Sequence, residues 1–327
     1  MTITRRAVAL GLAATAIQAL MLIAFAWPTV NIAPRDLPIA VAGPASAQIA
    51  QQLQQRDPGA FEITTLADAS AARNALADRE IYGAIVTGNG APQVMVASAA
   101  APAVAQQLTA VAQQLSGVPA VAVQDVIATD PDDPRGAGFG SMVLPLVMSG
   151  IAAGVLLTLL IPSLSARLAG LTTFAIAGGL LSTLVFHTWL SILPGSYLEL
   201  AAIAGLASFA VAATIVGLAA AIGRPGIGLG ALTMLLIGNP FSAATSAPEL
   251  LPQPWGTIGQ LLPPGAATSL LRSVAYFDGA GAVGPLTVLL VWAVSGVALL
   301  GLGALRTPKA AAPAAPAAAA GQVAVPA

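Results

Sequence analysis

The chain has 327 residues, 57% of them hydrophobic and 8% charged, with a net charge of −1 and no cysteine. A soluble domain carries about a quarter charged residues, so this balance points to a membrane protein. It offers no basic footprint for nucleic acid, and it excludes disulfides, iron–sulfur clusters and thiol nucleophiles.

Six apolar stretches meet the length of about twenty residues needed to cross the hydrocarbon. They run Ala7–Trp27, Ser141–Ile161, Leu168–Leu190, Leu198–Ile222, Gly226–Ala244 and Gly284–Leu305. The fifth is rich in glycine and holds "GNP" near its end. Arg5 and Arg6 precede the first span, Arg167 and Arg224 lie in two connections, and Arg306 and Lys309 follow the last. Six crossings put all of these on one side, which the positive-inside rule makes cytoplasmic. Both termini are then cytoplasmic and residues 28–140 outside. "AFA" before Trp27 resembles a signal-cleavage site, but the apolar run exceeds the usual 7–15-residue signal core. The expected role of residues 1–27 is therefore a retained anchor.

Residues 28–140 hold most of the charged residues and read as a small α/β module. "DLPIAVAG" is a buried strand and turn, and "SAQIAQQLQQ" is helical. "AFEITTL" alternates as a strand does, and Asp68 is an N-cap for the helix that follows. "IYGAIV" and "QVMVAS" are strands parted by "TGNGAP". "APAVAQQLTAVAQQLSG" is a helix ended by Gly117, and "PAVAVQDV" is a last strand. "DPDDPRGAGFG" reads as a solvated linker in which Asp132 and Asp133 have no ligand role. The module has no histidine, cysteine or lysine, so no enzyme, cofactor or metal site is expected in it.

Lys309 is the only lysine, so the chain has no P-loop and is not itself a P-loop ATPase. No charge falls within a confident span interior, which disfavours a proton-coupled carrier. His187, the one histidine, reads with Phe186 and Trp189 as part of an interfacial aromatic belt. The small-residue stretches at 149–154, 177–179 and 226–230 suit close helix contacts, either within one subunit or between subunits.

Between the last two spans, Pro263 and Pro264 suit the first turn of a helix. Ala266, Ala267, Leu270, Leu271, Val274 and Phe277 then recur at three- and four-residue steps, with Arg272 and serines opposite. This predicts an amphipathic outer helix over residues 262–278. It either lies at the membrane surface, with Arg272 snorkelling to the headgroups, or re-enters among protein. Asn239-Pro240 breaks the fifth span, either as a kink or as a wall of a substrate path.

One anchor, an outer α/β domain and five further spans resemble the type-2 ABC-transporter permeases, in the branch of phage-infection-protein-like membrane proteins. The stretch "GNPFSAATSAPELLPQPWGTIGQLLPPGAATSLLRSVAYF" (238–277) carries the resemblance. "REIYGAIVTG" (79–88) is similar to that family's "vyGalvIP" strand, and "DLPIAVAG" to the strand that opens its outer domain. The resemblance implies a six-helix transmembrane bundle, one anchor then five, with an extracytoplasmic α/β domain. It implies a dimerising permease subunit of an exporter, driven by a separate cytoplasmic ABC ATPase and moving a lipid, drug or peptide. Gly238, Asn239, Pro240, Leu262, Pro263, Pro264, Gly265 and Arg272 would then shape an outer re-entrant region and the pathway. Arg167 and Arg224 would be candidates for the ATPase contact, though "PSLSARLAG" is a short connection for that purpose. That brevity keeps open an alternative, a non-transporting scaffold or receptor that binds an envelope component through its outer domain. The Ala/Pro-rich tail, 307–327, reads as disordered.

Overall fold

A computed structural model describes residues 3–88, 92–116 and 121–306. Gly117, residues 89–91 of the "TGNGAP" link, Lys309 and the 307–327 tail lie outside the described residues. Helix α1 runs Ile3–Val30, longer at both ends than its apolar core. It is exposed along most of its length. Near its end Pro28 is buried, and Trp27 meets Phe241 edge-on at 6.2 Å.

The α/β module follows, with β1 Leu37–Ala42, α2 Ser46–Arg56, β2 Phe61–Leu66, α3 Ala69–Ala77 and β3 Gly83–Val86. It continues with β4 Gln93–Val96, α4 Pro102–Ser116 and β5 Ala122–Asp125. The strands form one sheet in the order β2-β1-β3-β4-β5. Strand β1 is parallel to both its neighbours, β4 is antiparallel to β3, and β5 is parallel to β4. The unbroken apolar run of β1 suits a central strand covered on both faces. Leu53 of α2 and Val104 and Leu108 of α4 pack on one face, and Ala72 and Leu76 of α3 on the other. Leu37, Ile39, Leu53 and Leu76 are fully buried. Each contributes about 1.5–3 kcal/mol over an exposed position. Asp68 caps α3 as expected, accepting from the backbone N–H groups of Ser70 and Ala71 at 2.9 Å.

The linker differs from its expected solvated state at Asp133, which is buried. Its carboxylate accepts from the N–H groups of Gly138 and Phe139, at 3.0 and 2.8 Å. These belong to the first turn of α5 (Ala137–Ser141), whose orphan donors attract an anion. The acid therefore fixes the entry into α6 (Val143–Leu160).

Helix α7 (Leu164–Thr183) ends in a π-helical turn, Leu184–Trp189, and α8 covers Tyr197–Ile222. Helix α9 (Arg224–Leu232) also ends in a π-helical turn, Thr233–Gly238. Then come α10 (Trp255–Gln260), α11 (Pro263–Tyr276) and α12 (Val283–Arg306). Among the described residues, five helical stretches are long and apolar enough to cross a membrane: Ile3–Val30, Ala137–Leu160, Leu164–Trp189, Tyr197–Ile222 and Val283–Gly303. The fold is mostly helical and that of a multi-pass membrane protein.

The stretch expected to end at Ala244 stops at Gly238. At 1.5 Å per residue it reaches about 22 Å, short of a hydrocarbon thickness of about 30 Å. The physical reason lies at its end. Asn239 N–H already closes a wide turn onto the Met234 carbonyl at 3.0 Å, and Pro240 has no N–H with which to continue it.

Helix α8 is the hub of the bundle, with α6, α7, α9, α11 and α12 around it. The small-residue stretches serve this packing within the chain. Gly150 and Gly154 of α6 face Val211 and Ile215, and Gly226 and Gly230 of α9 face Leu218 and Ile215. A Cβ on Gly205 would lie 2.6 Å from the Ala175 carbonyl oxygen, so α7 and α8 meet backbone to backbone. Gly154 beside Ile215, Gly170 beside Leu157 and Gly303 beside Ala220 gather the α6–α7 and α8–α9 connections and the end of α12 at one end of the bundle. The sheet sits at the other end.

Candidate functional site

Helices α10 and α11 form a hairpin pushed into the bundle from the sheet end. Its turn is at Leu261 and Leu262. Leu262 is extended and buried, and Pro263 and Pro264 open α11 as the sequence predicts. The Leu261 carbonyl accepts from the indole N–H of Trp292 at 2.8 Å. Pro263 and Pro264 lie beside Val147, Ala207 and Val211. Trp292 lies about 14 Å along α12 from its start, and Val211 about 21 Å along α8. The hairpin thus reaches roughly the middle of the bundle.

There it meets the end of α9. A Cβ on Gly238 would lie 2.8 Å from Cγ of Pro264. The two halves of the quoted motif, Gly238-Asn239-Pro240 and Leu262-Pro263-Pro264-Gly265, are thus packed on each other. Side chains on Gly259 or Gly265 would collide with the carbonyl oxygens of Phe241 and Gly259, so only glycine allows the hairpin to close against the 239–246 loop. The half of the bundle that α9 leaves unfilled is occupied by this hairpin and loop.

Helix α11 is not a surface helix. Residues Pro263–Thr268 and Leu270–Ser273 are all buried. Arg272 does not snorkel: it is 5% exposed. Its guanidinium donates to the Ala244 carbonyl at 2.9 Å and lies 4.7 Å from the centroid of the Phe139 ring. The Asp133 carboxylate holds that ring's backbone in place, so the linker, α11 and the 239–246 loop meet at one cation. Ser269 donates to Gln260 Oε1 at 2.7 Å, and Gln260 donates to the Ser242 carbonyl at 3.2 Å.

The sheet is clamped to the hairpin by residues that sequence reasoning did not single out as a site. Arg79 donates to the Ser269 carbonyl at 3.1 Å and to the Ser273 hydroxyl, and it lies over the Phe277 ring. Phe277 inserts into the α3 side of the sheet core. The Tyr82 phenol donates to Glu249 at 3.0 Å. Burial lowers the Arg79 pKa, and nearby Tyr82 and Glu249 partly oppose that. Ala247 and Leu250 enter the other face of the sheet, while Ala33 and Arg35 hydrogen-bond to the carbonyls of Leu250 and Glu249. Arg79 and Tyr82 both lie in "REIYGAIVTG", and their partners in the 238–277 stretch. The signal was present as two separate motifs, without their pairing.

His187 is structural. Its Nδ1 lies 2.7 Å from the Leu193 carbonyl, and its ring meets Tyr197 edge-on at 5.9 Å. Since a carbonyl only accepts, Nδ1 carries the proton. Arg167 and Arg224 lie at the far end of the bundle. Arg167 turns back to donate to the carbonyls of Ile161 and Thr158, at 2.7 and 3.0 Å, capping the end of α6. Arg224 is exposed. Compared with known proteins, the chain is matched by no family model, no curated protein and no solved structure.

Proposed function

We propose that this chain is the membrane-spanning permease subunit of an ABC-type exporter, working with a separate cytoplasmic ATPase on an amphipathic or hydrophobic compound. The observation that carries the reading is the α10–α11 hairpin, which ends mid-bundle on the broken α9 helix. Non-helical backbone at such depth is tolerated only where protein or a water-filled cavity surrounds it. A broken helix facing a re-entrant hairpin is the arrangement in which membrane transporters place substrate sites. In this proposal both termini are cytoplasmic, the sheet lies outside the cell membrane, and two permease subunits pair. Motion of the spans around α8 reaches the sheet through Arg79, Tyr82 and Glu249, and the sheet moves with the hairpin.

Affinity-tagged full-length protein, purified in mild detergent from its native membrane, is expected to carry a P-loop ATPase in stoichiometric amount. Reconstituted together, the pair should hydrolyse ATP faster than the ATPase alone. Purification without any ATPase, together with unchanged export after deletion of the gene, would reject the proposal. One observation favours a second reading, a non-transporting scaffold or receptor. Arg167 is spent on capping α6, so the α6–α7 connection offers an ATPase little to grip. On that reading the outer domain, residues 28–140, tethered to an unrelated anchor, retains the function.

A further inference from the structure

Between α1, α6 and the 239–251 loop lies a cavity of about 220 Å³. Asn239, Ser242, Thr245 and Ser246 supply its polar wall, and Phe25 and Val143 are among its apolar residues. None of the residues lining it is charged. Ser246 is only 4% exposed, yet its hydroxyl has no hydrogen-bond partner among the described residues, and neither has the Asn239 amide. Ser242 donates to the Asn239 carbonyl at 2.7 Å and keeps its lone pairs free to accept. Both groups line the cavity, so it is equipped for a guest that both donates and accepts.

The cavity adjoins a second space. A shallow, largely open trough runs along one face of α1, lined by Ala14, Ile17, Met21, Leu22, Phe25 and Thr29, with Gln18 as its one further polar residue. Phe25 and Thr29 belong to both spaces. At the junction the Thr29 hydroxyl donates to the Phe25 carbonyl at 2.8 Å, which leaves it, like Ser242, only an acceptor. A polar chamber thus opens onto an apolar trough on the helix face that the described residues leave uncovered.

We infer that chamber and trough form one binding site for an amphiphile with an uncharged, hydroxyl-bearing head group and an alkyl or acyl chain. An anionic or cationic head would lose its hydration against a wall with no countercharge, at prohibitive cost. A hydroxyl-rich head exchanges water for the Asn239 amide and the Ser246 hydroxyl, each of which can donate and accept. At ~30 Å³ per water the chamber equals about seven water molecules, the bulk of one sugar ring or a glycerol-type head. The inference deepens the permease proposal by naming its cargo chemistry, but the binding itself requires no ATPase.

The test uses full-length protein in phosphatidylcholine nanodiscs and radiolabelled decyl glucoside below its micellar concentration. Unlabelled decyl glucoside is expected to displace the label at least tenfold better than decylphosphocholine or decyl sulfate of equal chain length. Ser246→Val and Asn239→Leu should each weaken glucoside binding by about three- to tenfold, the worth of one neutral hydrogen bond. Asn239→Asp should admit decyltrimethylammonium as a competitor. Ala14→Trp, on the exposed trough and outside the packed bundle, should weaken binding at least tenfold and serves if the loop variants fail to fold. Displacement by chain length alone, or folded variants that bind as the wild type does, would overturn the inference. Failure to capture an ATPase would leave it standing. Absence of head-group preference overturns it even where an ATPase is captured.

Discussion

Tyr82 and Glu249 are 167 positions apart in sequence and 3.0 Å apart in space. Burial, then the neighbouring Glu249 carboxylate, raise the phenol's pKa above its ordinary value of 10. In the unfolded chain the phenol ionises near pH 10, while the folded chain holds it neutral. A pKa raised by folding stabilises fully below the unfolded value, and that stability is lost as pH rises beyond it. Tyr82→Phe removes both the hydrogen bond and this titration. At pH 8 the variant should be less stable by about 1.5–3 kcal/mol, because the acceptor is a carboxylate. Above pH ~10 the gap should narrow, as only the wild type then loses stability to ionisation. Thermal unfolding in detergent between pH 8 and 11 reads both effects, and a gap independent of pH would show that the phenol is not enclosed with Glu249. Arg272 teaches the complementary lesson. Its position opposite the apolar stripe of α11 suggests a headgroup contact, but Phe139 and the Ala244 carbonyl enclose it, and neither partner is adjacent in sequence.

At the scale of the element, hairpin closure rests on glycine. Gly259→Ala would drive a methyl group into the Phe241 carbonyl, which is backbone and cannot rotate aside. Displacing it would cost about 1–3 kcal/mol, as overpacking does. It would also disturb the stack of Phe241 on Trp255, whose ring centroids are 5.5 Å apart. The expected outcome is a lower melting temperature together with altered tryptophan fluorescence. By contrast Gly228→Ala, where nothing lies within 4 Å of the new methyl, should leave both unchanged. Elements of this kind were legible in unequal measure. The period of Ala266 to Phe277 and the prolines before it gave α11 its limits, because a helix start and an apolar stripe are local properties. The strands and the Asp68 cap were legible for the same reason. What surrounds α11 was not, because enclosure depends on where α6, α8 and α12 stand. The fifth stretch is shorter than its hydropathy suggests, since hydropathy continues smoothly past Gly238 while the hydrogen-bond ladder does not. Sequence alone suggests a solvated Asp133, because its partners, the N–H groups of a helix start, have no signature in side-chain composition.

For the whole molecule, the decisive quantity is which end of the bundle faces the cytoplasm. The exposed Arg224, the α6–α7 connection with Arg167 and the end of α12 share one end, and the sheet is clamped to the other through Arg79, Tyr82 and Phe277. Helix α1 ends beside Phe241 at the sheet end, so Arg5 and Arg6, a helix length away, fall at the arginine end. Charge bias of this kind orients membrane proteins with the basic end inside. The chain has no cysteine, so single cysteines report without background. Ser70→Cys, exposed on α3, and Ser165→Cys, exposed near the start of α7, mark the two ends. In intact cells a membrane-impermeant maleimide is expected to label position 70 and to spare position 165 until the membrane is opened. The reverse pattern would place the sheet inside. The cavity at Asn239 and Ser246 would then open toward the cytoplasmic half, and the hairpin would no longer be an outer re-entrant element.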